Sequence, residues 1–537
     1  MRGDGSGGGD VRRPLAVFMA FGTKGDVFPI AALAAAFARD QQQYTVVFIT
    51  HSAHRSLSKH LAASTVRYMP VSSPPVLAAE QIENGSGDSL QANDDGESFS
   101  LQKKAIQIQQ RKECLSSVEE IFGNEPSIDG DFIVINFFAL EGWHLAELFQ
   151  VKCIIAAPYL VPYSAPTSFE RQFKQSFPDL YKYFQEAPPN TVCWTDVVHW
   201  MWPLFMETWG SWRNDCLNLS PVPFTDPVTD LPLLHMREES PLLLYGFSKQ
   251  VVERPGYWPS GARVCGFWFL PMAWQFSCDK CLELSRRLIS SSESTLCENH
   301  SSIEHFLMGS SYSSRPIFVG LSSIGSMGFL RKPKAFLMVL KTLIEMTNYR
   351  FILFSSGYEP LDSAVHSIAS SVTESSEAVA AALGGDSTLL FNDRLFCFSG
   401  SIPYSWLFRR CAAAIHHAGS GSTASALLAG IPQVVCPFLH DQFYWAERLH
   451  WLGVAPEPLQ RQHLIPEMDS ASCIHNAADV LLGAISSALS SEMKDQAARL
   501  ADRLSLEDGI GEALSVMKEK ELIGLLDGYQ QHVAPGQ

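Results

Sequence analysis

Positive charge is the first thing this chain is short of. Its 537 residues include 40 Lys or Arg against 56 Asp or Glu, a formal net charge of −16. Non-selective binding to nucleic acid needs a basic field, so nucleic acid is excluded as a partner. Long apolar runs are missing too. No stretch reaches about 18 uninterrupted apolar residues, and no membrane-spanning helix is expected. The opening MRGDGSGGGDVRR is polar and glycine-rich, reads as a flexible N-terminus, and lacks the apolar core of a secretory signal peptide. Paired cysteine motifs are scarce. Of 12 cysteines only Cys278 and Cys281 form a Cys-x-x-Cys, and no second pair is recognised at zinc-finger spacing. The expectation is reduced thiols in a cytoplasmic protein, with no metal and no cofactor. The Asn-Leu-Ser sequon at Asn218 is idle in that setting.

What is present is an ordinary globular balance, 46% hydrophobic and 18% charged, with length enough for two to four domains at about 150 residues each. From Pro14 the chain alternates strand and helix: PLAVFMAFG, then PIAALAAAFARD, then YTVVFITH, with DFIVINFF and KCIIAAPYL later. Continuous apolar strands separated by helices predict a parallel sheet buried on both faces. A second series begins near Arg315 with RPIFVGLSS and continues through YRFILFSSG, AAAIHH and IPQVVCPF. The fold class expected is α/β, two Rossmann-like domains facing across a cleft, with C-terminal helices crossing back. The expected divisions are a flexible 1–13, an N-terminal Rossmann-like domain over 14–272 with an acidic mobile insertion at about 80–100, and a Ser-rich linker over 273–313. A C-terminal Rossmann-like domain over 314–500 follows, with a loop at about 359–389, and then a helical tail over 501–537. Open α/β sheets take ligands at the carboxyl ends of their strands, so two facing domains suggest two ligands meeting in the cleft.

Three segments carry chemistry. In HHAGSGSTASALLAG, His416 to Gly430, Gly419 and Gly421 permit a tight turn, and Ser420, Ser422 and Thr423 fall where free helix amides favour an anion. No Lys follows the glycines, so this is not a Walker loop, and Ala424 breaks the dinucleotide fingerprint. Taken alone it is equally an ordinary strand-to-helix turn. A metal on His416, His417 and His440 is disfavoured, because adjacent strand residues face opposite ways. Asp441 and Gln442 offer the mixed acceptors and donors that sugar hydroxyls need, or form a polar loop with a helix cap. In FGTKGDVFPIAAL, Asp26 follows the first strand, where a carboxylate serves as general base or as helix N-cap. Trp194, Trp200, Trp202, Trp209 and Trp212 lie in one aromatic segment, which could line a flat apolar pocket, rest on a membrane surface or pack as core.

Together FGTKGDVFPIAALAAAF, LYGFSKQVVERPGYWPSGARVCGFWF, IPYSWLFRRCAAAIHHAGSGSTASALLAGIPQVVCPFLHDQFYWAERLHWLGVAP and LEDGIGEAL stand in the order seen in GT-B glycosyltransferases. The chain resembles most the plant and fungal sterol 3-beta-glucosyltransferases, from about Pro14 to Leu522. That resemblance implies inverting, metal-independent transfer of glucose from UDP-glucose to a hydroxyl of a sterol or similar lipophilic acceptor, at a site peripheral to membranes or free in the cytoplasm. It implies Asp26 as general base and His417, Gly419, Ser420, Gly421, Ser422, Thr423 and Ser323 around the donor phosphates. Ile402, Pro403 and Trp406 would lie along the uracil, Asp441 and Gln442 on the sugar, and Gly25, Trp194 and Trp200 at the acceptor. The chain departs from the family at Ala418 and Ser420, where the family has glycine and alanine, at Ser322 for a glycine, at Lys24 for an arginine, and at Ser425, where plant small-molecule relatives carry a ribose-binding Glu. Two other readings are a glycosyltransferase for another specialised metabolite and a catalytically weak nucleotide-sugar-binding protein.

Overall fold

A computed structural model describes residues 12–519 apart from 77–91, 124–126, 161–164, 189, 227, 230, 234–238, 277, 288–295, 310–313, 322–323, 326, 356 and 374–385. The N-terminal half forms a seven-stranded parallel sheet: β1 (Leu15–Met19), β2 (Thr45–His51), β3 (Val66–Val71), β4 (Phe132–Ile135), β5 (Lys152–Ala157), β6 (Leu242–Tyr245) and β7 (Ala262–Val264). Their order is β3-β2-β1-β4-β5-β6-β7. The strands are apolar throughout because both faces are covered. Leu15, Val17 and Met19 enter one core layer and Ala16 and Phe18 the opposite one. β1 pairs with both β2 and β4, Leu15 opposite Thr45 and Ala16 opposite Phe132. Strand order therefore reverses beside β1, and the β1 turn opens into that switch-point crevice.

The C-terminal half forms a six-stranded sheet from β8 (Ile317–Gly320), β9 (Phe351–Phe354), β10 (Ser387–Leu390), β11 (Leu395–Phe398), β12 (Ala413–His416) and β13 (Gln433–Val435). The order is β10-β11-β9-β8-β12-β13, with only the β10–β11 pair antiparallel. β8 takes β9 on one side and β12 on the other. The switch point thus lies between β8 and β12, just where the His417 turn leaves the sheet. The expected class, two parallel α/β domains, is the class observed.

The helices that matter below are α1 (Lys24–Asp40), α2 (Ala92–Phe122), α3 (Thr167–Ser176), α4 (Pro178–Glu186), α5 (Asp279–Arg287), α6 (Ser301–Met308), α7 (Glu359–Thr373), α8 (Ser420–Ala429), α9 (Gln442–Trp451), α10 (Ser491–Leu504) and α11 (Gly509–Met517). Five of them bear on expected loops, the linker or the tail. The insertion at about 80–100 ends inside α2, which is anchored downstream by buried Cys114, Val118 and Phe122 one turn apart; residues 77–91 lie outside the described set. The loop at about 359–389 is corrected in its first half, where α7 buries Leu361 and Val365. The linker at 273–313 is corrected as well. It holds α5 and α6, and buries Cys281, Cys297, Ile303 and Phe306 against Phe318, Ile352 and Phe398 of the C-terminal sheet. Finally α11 leaves the C-terminal half and packs Ala513, Val516 and Met517 into the layer that holds α1. Trp268 Nε1 donates to the Gly509 carbonyl at 3.1 Å, and Lys518 pairs with Asp40 at 2.6 Å.

The two halves also meet directly. The Phe247 and Trp445 rings lie 5.8 Å apart, edge to face, and Ser248 Oγ donates to Glu507 at 2.7 Å. Arg448 Nε donates to the Val251 carbonyl.

Candidate active site

The site is assembled from two strand-to-helix turns, one from each domain. In the first, Gly22 has φ +103°, and a Cβ there would stand 2.7 Å from Asp26 Oδ2. Only glycine allows both the dihedral and the close carboxylate. The Thr23 amide and hydroxyl both donate to Asp26 Oδ2, at 2.7 and 2.8 Å. The N-cap reading of Asp26 is corrected: Thr23 is the N-cap of α1, and Asp26 stands at the third helical position and closes a capping box through Oδ2, with Oδ1 outside these bonds. Burial pushes its pKa up to about 6 against the lowering effect of the Thr23 bonds. Gly25 is exposed beside it at the helix start.

Sequence reasoning missed the residues that hold this turn. His51, the last residue of β2, accepts the Gly22 amide at Nε2 (3.1 Å), which leaves Nδ1–H to face Ser73 Oγ at 3.1 Å. His54 Nε2 donates to the Gly22 carbonyl at 2.9 Å. Burial and the proximity of His54 hold His51 down at about 4, and burial lowers His54 as well. Asn136, just past β4, brackets Phe21 by accepting its amide (3.1 Å) and donating to its carbonyl (2.7 Å), and donates to the Asp26 carbonyl at 3.2 Å. The available signal was position: both His51 and Asn136 stand at carboxyl ends of strands that flank β1.

In the second turn, His416 and His417 part ways as strand neighbours must. His416 is fully buried, accepts the Ala418 amide at Nδ1 (3.0 Å) and so donates through Nε2 to Gln433 Oε1 (2.8 Å). Ala418 has φ +62°, a left-handed conformation that costs a non-glycine residue about 1–2 kcal/mol. The family's glycine is thus replaced where glycine fits best, and the His416 cap holds the strained peptide. The His417 ring covers Gly419, where an added Cβ would sit 2.5 Å from Nε2. Burial, with His416 adding to it, drives its pKa to about 3, so it is neutral. His417 Nδ1 and Thr423 Oγ1 are both buried without a hydrogen-bond partner among the described residues. Both atoms are thus available to a polar ligand that enters this turn. Gly419 is the N-cap of α8; Gly421 is exposed, and Ser420 and Ser422 are half-buried in its first turn. Ser425 spends its hydroxyl on the Gly421 carbonyl at 2.9 Å.

Asp441 precedes α9, and Trp445 Nε1 donates to its Oδ2 at 2.8 Å. Burial raises its pKa to about 7, and the charge of Asp26 adds to the rise. A carboxylate of one domain thus feels the carboxylate of the other across the cleft. Gln442 Oε1 accepts the Phe438 and Leu439 amides at 2.9 and 3.2 Å, which leaves its NH2 as the group a ligand can use.

Other expected positions fall differently. Ser323 lies outside the described residues. Ile402 and Trp406 are buried, with Pro403 between them, and the Arg410 guanidinium stacks 4.2 Å over the indole. Trp406 therefore supports the wall rather than offering an open stacking face. The acceptor assignments to Trp194 and Trp200 are corrected. Trp200 is fully buried, edge-on to Trp143 at 5.0 Å. Trp194 packs against Phe169 and Phe173 of α3 and Tyr181 of α4. Trp209 and Trp212 pack on His144, which accepts from Arg213 beside the buried Arg213–Glu147 ion pair at 3.0 Å, while Trp194 and Trp202 are half-buried. The expectation of no metal-ligand constellation is also corrected: Cys278, Cys281, Cys297 and His300 converge on one point.

This arrangement invites comparison with proteins of known kind. A sterol 3-beta-glucosyltransferase of Arabidopsis thaliana is 24% identical over 96% of this chain and 67% of its own length. One of Saccharomyces cerevisiae is 24% identical over 93% of this chain, which spans only 34% of that protein. Residues 393–500 match the family described as erythromycin biosynthesis protein CIII-like, C-terminal domain. A UDP-glucosyltransferase from Polygonum tinctorium, capable of glucosylating indoxyl, superposes with a TM-score of 0.50 over 95% of this chain and 100% of that one, at 12% identity. The fold is GT-B. In sequence the chain is similar along nearly its full length to the two sterol 3-beta-glucosyltransferases. Its two sheets are accordingly the two domains of that fold, and the paired turns lie on the cleft between them.

Proposed function

We propose that this GT-B protein transfers glucose from UDP-glucose to the hydroxyl of a sterol or similar flat lipophilic acceptor, with inversion and without a metal at the reaction centre, in the cytoplasm or at a membrane surface. The observation that carries the reading is Asp26 of one domain set near enough to Asp441 of the other to raise it. A glycosyl donor held on the second turn would present its anomeric carbon towards the first.

The chemistry follows from the groups in place. Asp26, raised to about 6, is ionised at neutral pH yet basic enough to accept a proton from a hydroxyl as that oxygen attacks. Base and leaving group then stand on opposite sides of the sugar, which is what inversion requires. Asp441 and the Gln442 NH2 would hold sugar hydroxyls and fix the reacting face. The diphosphate gains negative charge as it leaves. The free amides at the start of α8 and the Thr423 hydroxyl supply donors there, and neutral His417 adds one from whichever nitrogen carries its proton. A preorganised donor of this kind contributes about 3 kcal/mol.

The sterol part of the proposal rests on the two sterol glucosyltransferases above. Against a catalytically weak nucleotide-sugar binder stands the retention of Asp26, His417, Asp441 and Gln442 in one cleft. The test is glucose transfer from UDP-glucose over a panel of sterols and phenolics, with and without EDTA. Sterol glucoside formed equally in both supports the proposal. Transfer to phenolics alone overturns the acceptor, binding of UDP-glucose without any transfer overturns the enzyme reading, and transfer that EDTA abolishes and added magnesium or manganese restores overturns the metal-free centre.

A further inference from the structure

The segment expected to be a linker contains a side-chain cluster that glycosyl transfer does not use. Cys278 and Cys281 stand at the start of α5, and Cys297 and His300 flank the short turn that enters α6. The spacing is Cys-x2-Cys-x15-Cys-x2-His, a metal-knuckle pattern in which a histidine takes the place of the fourth cysteine. Cys278 Sγ lies 3.7 Å from Cys297 Sγ, Cys281 Sγ lies 3.3 Å from His300 Nδ1, and Cys297 Sγ lies 3.4 Å from the same nitrogen. All four ligand atoms fall within 4.8 Å of one another, and three of the residues are buried.

Those distances discriminate between chemistries. Zinc bonds of about 2.3 Å to sulfur and about 2.0–2.1 Å to nitrogen, arranged tetrahedrally, place the ligand atoms about 3.5–3.8 Å apart. A disulfide requires about 2.05 Å between sulfurs, well short of the separation here. The Cys297 amide donates to Cys281 Sγ at 3.4 Å, so that sulfur is already used as an acceptor, as a metal-bound thiolate is. We infer that Cys278, Cys281, Cys297 and His300 form a structural zinc site that fastens the inter-domain segment to the C-terminal domain.

Three thiolates and an imidazole select zinc over hard cations such as magnesium. Four protein ligands close the coordination shell, so the site offers no position for substrate water and takes no part in transfer. Its mechanical consequence is local. Cys281 and Cys297 share a core with Phe398, Ile402 and Trp406, and Ser401 Oγ donates to the Gln275 carbonyl at 3.1 Å. The zinc thus secures the segment that braces the Ile402–Trp406 wall from behind.

The experiment measures metal in the full chain, purified under reducing conditions without chelator, by elemental analysis, and then adds cobalt to the apoprotein. About one zinc per chain is expected, with a cobalt form whose intense visible bands and sulfur-to-metal charge transfer report tetrahedral thiolate ligation. His300→Ala should lose the metal, whereas His300→Cys, which keeps four ligands, should retain it. The comparison of the two variants separates loss of a ligand from loss of the fold. A protein that purifies without zinc and shows no charge-transfer band with cobalt overturns the inference. So does a Cys278–Cys297 disulfide in the native protein, or a His300→Ala variant with undiminished zinc.

Discussion

The two turns that face each other across the cleft solve the same backbone problem differently. Each leaves a parallel strand at a switch point, passes through a positive φ and enters a helix. The β1 turn uses Gly22 at φ +103°, and the β12 turn uses Ala418 at φ +62°. The first is relaxed and grips a carboxylate. The second is strained and is held by a buried histidine behind it. Charge divides the same way. The N-terminal turn carries an ionisable acid raised to about 6, while the C-terminal turn carries a histidine kept neutral and two polar atoms without partners. One is suited to take a proton, the other to receive a leaving anion without competing for that proton.

This contrast can be broken from either side. The largest effect is expected from Asp26→Asn, which keeps the capping box but removes the base; kcat should fall by roughly 10²–10⁴, with UDP affinity unchanged by calorimetry. Gly22→Ala comes next. Its Cβ would meet Asp26 Oδ2 at 2.7 Å in a conformation alanine rarely adopts, a strain of about 1–3 kcal/mol. Both the thermal midpoint and kcat should drop. His416→Ala removes the acceptor of the Ala418 amide, which leaves a buried donor unpaired at about 1–3 kcal/mol. It should weaken UDP binding about tenfold while the pH dependence of transfer stays as it was. Asp441→Asn removes a sugar-hydroxyl partner. Because burial keeps Asp441 protonated up to about 7, it puts little charge beside Asp26 as that acid titrates, so KM for UDP-glucose should rise while the acidic limb stays near pH 6. The smallest change is Ala418→Gly, which relieves about 1 kcal/mol of left-handed strain and should raise the thermal midpoint slightly with no loss of transfer.

The same contrast explains what could be read from the chain alone. Strands such as LAVFM and FILF are apolar at every position and flanked by helices, and burial on both faces follows directly. The acidic insertion hid the start of α2 because the helix's buried anchors, Cys114, Val118 and Phe122, lie downstream of it among residues of both charges. The chemistry of Asp26 was legible from its place after β1, but the gripping of its turn by His51, His54 and Asn136 was not. Those residues come from separate strands and meet only in the folded sheet. Five tryptophans suggested a flat pocket because side-chain type says nothing about which way a ring faces. The cysteine cluster was hidden because its second pair is not a Cys-x-x-Cys: Cys297-Glu-Asn-His300 supplies a histidine in place of the fourth cysteine.

The central claim is that Asp26 takes the acceptor's proton. It is tested most directly by the pH profile of kcat/KM for glucose transfer, in the native protein and in Asp26→Asn. Sign and position are set by the raised acid: Asp26 is inactive as a base when protonated, so the rate should climb as pH rises through about 6 and then level. In Asp26→Asn that limb should vanish along with nearly all turnover, while UDP still binds. A variant that turns over at the native rate with the same limb would contradict the account.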